Sequence, residues 1–326
     1  MTRTRLRIAL PWFGDPQVSQ GRLPAAEWLV ARARRGRAGD DWRAWLVEHI
    51  ATEPGLLRRF PAGPCVRAAW TGERPEGTWA CAAPVHLVTA LDHLRLAAPV
   101  PLPLEADESS ALVADLNAEL AHRGFVLEEV AGRGWLCRCP DDLDCLVAEP
   151  AAAVGANLRD VQPSGRDAGR VRAWVNESQM VLHEHPVNLQ RAASGLPVVN
   201  SVWLWGIGAA ASTHRAPEGV MLTDDDWLAG LWRLHGAEAG RPERLEAALQ
   251  DDALVIGLGL VNSPGTDGSP GWSGLDQQVF ETVRTALLRG RLQSATFLLG
   301  AMSFEVSRDA RWQFWRRSRP LAEVLR

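Results

Sequence analysis

The segment HEHPVNLQRAASGLPVVNSVWLWGIG, residues 183–208, constrains the fold most, because a proline divides an otherwise helical pattern. Pro186 bars the residue before it from helical backbone, so the helix that starts near Val171 has to stop or bend at His185. Val171, Trp174, Val175, Ser178 and Leu182 form its buried stripe. Pro186 then suits the first position of a second short helix, VNLQRAAS, which Gly195 caps. PVVNSVWLW reads as a strand, and Gly206 and Gly208 allow a tight turn at its end. This corner gathers His185, Asn188 and Arg191, with 188 and 191 three apart on one helix face, and Asn200 from the strand that follows. His183 and Glu177 lie late in the preceding helix. An imidazole, a guanidinium and two amides suit a phosphate or carboxylate. The same groups would equally satisfy backbone atoms at a helix–proline–helix corner. His183 and His185 reach one metal ion only if the helix ends between them, and no metal site is expected there.

Strand and helix patterns alternate along the chain, which predicts an α/β fold with a mixed sheet flanked by helices. RLRIALPWF (5–13) is a buried strand, 24–36 and 40–50 are helices, and 65–98, including VRAAWTG, is a strand meander. ESSALVADLNAELAHRG (108–124) is a helix, and FVLEEV with GWLCRCP makes a hairpin. Residues 148–170 are rich in Ala, Gly and Pro. The expectation is one α/β domain over 1–326, or two lobes with that stretch as the linker.

The net charge is −4, which argues against nucleic acid as a partner. No apolar run approaches the roughly 20 residues that span a bilayer, so no membrane partner is expected. The N-terminal MTRTRLRIALPWFGD reads as a strand rather than a signal peptide, giving a cytoplasmic expectation. Cys65, Cys81, Cys137, Cys139 and Cys145 are expected as reduced thiols, and C-x-C-x5-C fits no zinc module. RWQFWRRSRP is the one basic-aromatic cluster, expected to be a solvated helix with two anchoring tryptophans.

The pattern HEHPVN-x2-R-x3-G-LP-x2-NS-x-WLWG-x-G resembles a motif of the archaeal-type cofactor-independent phosphoglycerate mutases, in the alkaline phosphatase superfamily. It resembles still more closely the RpfE-type regulatory family, often labelled phosphoglycerate-mutase-like. APVHL (83–87), DHLRL (92–96), NESQMVLHEHPVN (176–188), LDQQVFETVRTALLRGRLQSATFLL (275–299) and RWQFWRR (311–317) carry the likeness across most of the chain. The resemblance implies a degenerate alkaline-phosphatase-like core. Active members hold two divalent metals with Asp and His at strand ends and pass a phosphoryl group through Ser or Thr. The expected pairs are Asp-Gly after the first strand and Asp-His late in the chain. Here the first strand ends WFGDP, and no histidine follows His235.

The expectation is therefore a non-catalytic or regulatory relative, binding a phosphorylated or anionic metabolite through His185, Asn188, Arg191 and Asn200 without a cofactor. One alternative is an active phosphomutase or phosphatase using Mn or Mg at Asp15, Asp224, Asp225, Asp226 and His214. The other is an interaction protein whose Trp-rich surface docks a protein partner.

Overall fold

The structure is a computed structural model describing residues 4–14, 22–37, 41–48, 50, 56–90, 93–211, 219–250, 255–260 and 271–325. The chain makes two compact units: Met1–Arg58 with Thr213–Arg326, and Arg59–Ser212. The second unit is thus inserted within the sequence of the first.

The first unit opens with β1 (Thr4–Leu10), α1 (Pro24–Arg32), β2 (Arg34–Arg37), α2 (Trp42–Glu48) and the short α3 (Leu56–Arg59), whose last residue belongs to the insertion. Within the insertion come α4 (Ala62–Thr71), β3 (Thr78–Val85), β4 (Leu87–Thr89), β5 (Leu94–Leu96), α5 (Ala106–Leu120), β6 (Val126–Val130) and β7 (Gly134–Cys139). It closes with α6 (Pro150–Ala153), α7 (Ala168–Leu182), α8 (Pro186–Ala193) and β8 (Ser201–Ala209). The first unit then resumes with β9 (Val220–Thr223), α9 (Asp226–Leu234), β10 (Val255–Gly259), β11 (Leu292–Leu299) and β12 (Met302–Ser307).

Its six-stranded sheet runs β2-β12-β11-β1-β10-β9. β1 is parallel to both neighbours, β10 and β11, whereas β12 and β2 add antiparallel strands at one edge. Leu6, Ile8 and Leu10 of β1 pack with Leu29 of α1, Phe280, Val283 and Phe297. A strand buried on both faces reads as a near-continuous apolar run, as RIALPWF does. The fold class is α/β with a mixed sheet flanked by helices, as the alternation of patterns implies.

The second unit has an antiparallel sheet, β6-β7-β3-β8, so β8 is an edge strand. Helices α5 and α7 cover one face, where Leu112, Leu116, Val171 and Trp174 meet Ala82, Trp135, Val202 and Leu204. Segment VRAAWTG is helix α4 rather than a strand; Gly72 ends it in left-handed backbone at φ 78. A short apolar run fits either period, and here packing against β3 and β8 selects the helix. Gly63 permits that packing: a Cβ there would stand 2.3 Å from the carbonyl oxygen of Trp79. Gly206 and Gly208 also serve α4 instead of ending β8, which runs on to Ala209. Gly206 (φ 62) lies where β3 and β8 shift register, a bulge that left-handed glycine accommodates.

Residues 148–170 lie inside this unit. The backbones of Leu146 and Ser164 exchange hydrogen bonds, and Ala153, Leu158 and Val161 pack with Ala83, Val85 and Trp203. That packing makes one wall of the cavity described below. No helix among the described residues is long and apolar enough to cross a membrane.

All five cysteines are buried thiols, and Cys137, Cys139 and Cys145 belong to the apolar core. Burial pushes the Cys137 and Cys145 thiols up, away from the reactive thiolate. The native protein should therefore react only slowly with a disulfide-exchange dye at pH 7, and release five equivalents once denatured. Rapid native reaction of any cysteine would contradict this packing.

Candidate functional site

The helix–proline–helix corner forms as its sequence dictates. α7 ends at Leu182, Glu184 takes left-handed backbone at φ 62, and Pro186 opens α8 with His185 as its N-cap. The His185 Nδ1 accepts from the Val187 amide at 3.2 Å, which leaves Nε2 to donate to Asp115 Oδ2 at 2.9 Å. Asn188 is 6% exposed and fully engaged: its Nδ2 donates to the carbonyls of Leu182 and Val199, and its Oδ1 accepts from the Val199 amide. Arg191 is 4% exposed; its Nε donates to the Pro197 carbonyl, and one terminal nitrogen pairs with Glu108 at 2.7 Å. Asn200 brackets Leu87, accepting from its amide and donating to its carbonyl.

The corner thus brings His185, Asn188 and Arg191 together, but their polar atoms are turned onto the chain. They lock α8 to α5 and to the approach of β8. The remaining two residues stand apart from this lock. Glu177 is taken up by Arg123 and His122, and the Arg123 hydrogen bond holds its carboxyl below the usual range. His183 is exposed at the end of α7.

A cavity of about 580 Å³ opens beside the edge strand β8, between α7, the β4–β5 ribbon and residues 157–163. Leu87, Leu94, Val161, Val175 and Trp203 give it apolar walls. His93, Asn157, Arg159, Gln162, Arg172 and Asn176 supply polar side chains to its lining. Arg159, Arg172 and Asn176 are exposed. Arg172 is held by a bond to the Pro163 carbonyl at 3.0 Å. Gln179, also in the lining, donates to the Ser201 hydroxyl at 3.2 Å. The corner contributes indirectly, because the Asn200–Leu87 bracket fixes where β4 leaves the sheet. Arg159 and Arg172 were not singled out by sequence. Asn176 and Gln179 stood in view within NESQMV, one helix turn apart on the face that meets the cavity.

At the carboxyl end of β9, in the first unit, lies the acidic run 224–226. Asp225 is 4% exposed and caps α9, its Oδ1 accepting from the Leu228 amide. Its Oδ2 receives Arg43 through Nε at 2.9 Å and a terminal nitrogen at 2.7 Å. Both oxygens are spoken for, so this carboxylate does not fit a metal ligand unless Arg43 is displaced. Among the described residues no group of three or more His, Cys, Asp or Glu is placed to hold a metal ion. Asp15 and His214 lie outside the described residues.

No family model matches the chain. It is 34% identical over 101 residues to the 2,3-bisphosphoglycerate-independent phosphoglycerate mutase of Methanothrix thermoacetophila, covering 28% of this chain and 26% of that protein. It is 38% identical over 72 residues to the probable 2,3-bisphosphoglycerate-independent phosphoglycerate mutase of Geobacter sulfurreducens, or 21% of this chain and 18% of that one. The matches thus span about a quarter or less of these relatives. Among solved structures, the cofactor-independent phosphoglycerate mutase of Thermoplasma acidophilum aligns over 94% of this chain and 90% of that one, with 14% identity and a TM-score of 0.43. The PH0037 protein of Pyrococcus horikoshii aligns over 94% and 87%, with 12% identity and a TM-score of 0.47. The similarity to phosphoglycerate mutases is distant and partial.

Proposed function

We propose that this chain is a non-catalytic relative of the cofactor-independent phosphoglycerate mutases, of the regulatory RpfE-type kind its sequence resembles. In this reading it binds a small phosphorylated metabolite in the cavity of its second unit, without a metal cofactor. The supporting observation is the cavity itself. Its volume lies within the range of metabolite pockets, and two arginines and several amides are among the residues lining a largely apolar hollow. An arginine fork suits phosphate oxygens, and the amides fix orientation. Turnover is disfavoured by the sequence, which has no histidine beyond His235 to complete a late Asp-His pair. It is disfavoured also by Asp225, whose carboxylate closes an ion pair and caps a helix.

A thermal-shift screen against phosphorylated metabolites, including 2- and 3-phosphoglycerate, tests this. A ligand at about 100 times its dissociation constant should stabilise the protein by roughly 2.7 kcal/mol. The shift should persist in EDTA and vanish when Arg159→Ala and Arg172→Ala are combined. Both side chains are exposed, so the unliganded melting temperature should stay within a degree or two. A shift seen only with Mn²⁺ would instead support the phosphomutase reading. No shift with any phosphorylated ligand would remove the metabolite reading.

A further inference from the structure

The basic-aromatic segment near the C-terminus does not form the solvated helix with anchoring tryptophans that its sequence suggests. A 3-10 turn covers Arg308–Trp312, and irregular backbone follows as far as Pro320. Ala310 and Leu321 are buried in the core of the first unit, so the segment is pinned at both ends. Between those pins the large aromatics face water: Trp312 is 63% exposed, Phe314 83% and Trp315 65%. Three exposed aromatics within four positions are a costly feature for a monomer surface.

The aromatics are also ordered against their neighbours. Phe314 and Trp315 meet edge to face with centroids 5.3 Å apart, and the Arg311 guanidinium lies 4.9 Å from the Trp312 ring centroid. Arg316 donates to the Ala31 carbonyl at 3.4 Å, which brings it to the end of α1, where Arg32 stacks on Trp28. Residues 308–319 carry five arginines against Asp309 alone, a balance of +4 in a chain whose total is −4. The rest of the chain therefore carries a net charge of −8.

We propose that this surface docks an acidic segment of a partner protein, with apolar side chains set against Trp312, Phe314 and Trp315 and carboxylates against Arg311, Arg316 and Arg317. Tryptophan and arginine are the residue types that dominate the energy of protein interfaces. Arginine forks match carboxylates in geometry. The charge distribution favours a compact acidic segment over an extended polyanion. The net charge of the whole chain is negative and repels an extended polyanion at long range, whereas a short acidic segment meets mainly the arginines of the patch. The patch belongs to the first unit and the cavity to the second, so a ligand can bind either without the other.

The test uses the full chain and a fluorescent twelve-residue peptide of alternating glutamate and leucine, read by anisotropy. A lysine–leucine peptide, phosphatidylglycerol vesicles and an oligothymidylate run alongside. The expected result is preferential binding of the acidic peptide that weakens with salt. Affinity should drop about tenfold or more in Trp312→Ala/Trp315→Ala and in Arg316→Glu/Arg317→Glu. The melting temperature should hold in both variants, because all four side chains are exposed. Tighter binding of vesicles or oligothymidylate would overturn the assignment to a protein partner. So would self-association that the same variants abolish, unchanged peptide binding by the variants, or no peptide binding at all.

Discussion

Replacing Asp225 with alanine is expected to destabilise the first unit by about 3–5 kcal/mol, the cost of breaking a buried ion pair from one side. The Arg43 and Asp225 side chains are 9% and 5% exposed, so little water can take the place of the lost carboxylate. The same substitution removes the N-cap of α9, a further contribution of about 1 kcal/mol. Arg43→Met with Asp225→Leu should recover much of the loss, because a buried pair removed whole leaves no charge behind. Chemical denaturation of the single and double variants checks this. If Asp225→Ala retained full stability but lost metal-dependent activity, the carboxylate would be catalytic and the present account of it wrong.

The second large effect is expected at Asn188. Alanine there removes all three of its side-chain hydrogen bonds and leaves the Val199 amide and two carbonyls buried without those partners. The Leu182 carbonyl keeps the His185 amide at 3.3 Å, but the Val199 amide and carbonyl are orphaned. At about 1–3 kcal/mol for each, a total of about 3 kcal/mol is expected. In a unit of this size that corresponds to a drop of roughly 6–12 °C in melting temperature. Asn188→Asp should be nearly as damaging, because it keeps the acceptor for Val199 but sets a carboxylate against two carbonyl oxygens. A ligand-binding asparagine would behave differently: its replacement would spare the unliganded protein and weaken only the complex. Thermal unfolding without ligand separates the two roles.

How much of this was legible in the sequence follows from the range of each signal. The HPVN corner was readable in detail, because proline geometry and helix capping act over a few residues. What its polar groups face was not readable. Asp115 and Glu108 lie 70 and 83 residues before their partners in the chain, and no local pattern connects them to His185 and Arg191. VRAAWTG was open to either period, and only contact with β3 and β8 settles it as helix α4. Two lobes could be expected from the sequence, but the insertion of one within the other was hidden for a similar reason. β1 pairs with strands that begin at Val255 and Leu292, so the first unit closes across the whole insertion. The cavity draws on residues from 87 to 204, and neither Arg159 nor Arg172 sits in a recognisable motif. Trp312 and Trp315 read as anchors by composition, yet pinning of the chain at Ala310 and Leu321 turns them outward.

An anionic metabolite that binds in the second unit without metal should be detectable by calorimetry. Calorimetric titration of 3-phosphoglycerate, and of the strongest ligand from the thermal screen, into the protein in EDTA tests it most directly. Saturable binding to the wild type is expected, with at least a tenfold loss, about 1.4 kcal/mol, in Arg159→Ala/Arg172→Ala. Binding that survives that double substitution unchanged, or that requires divalent metal, would contradict it.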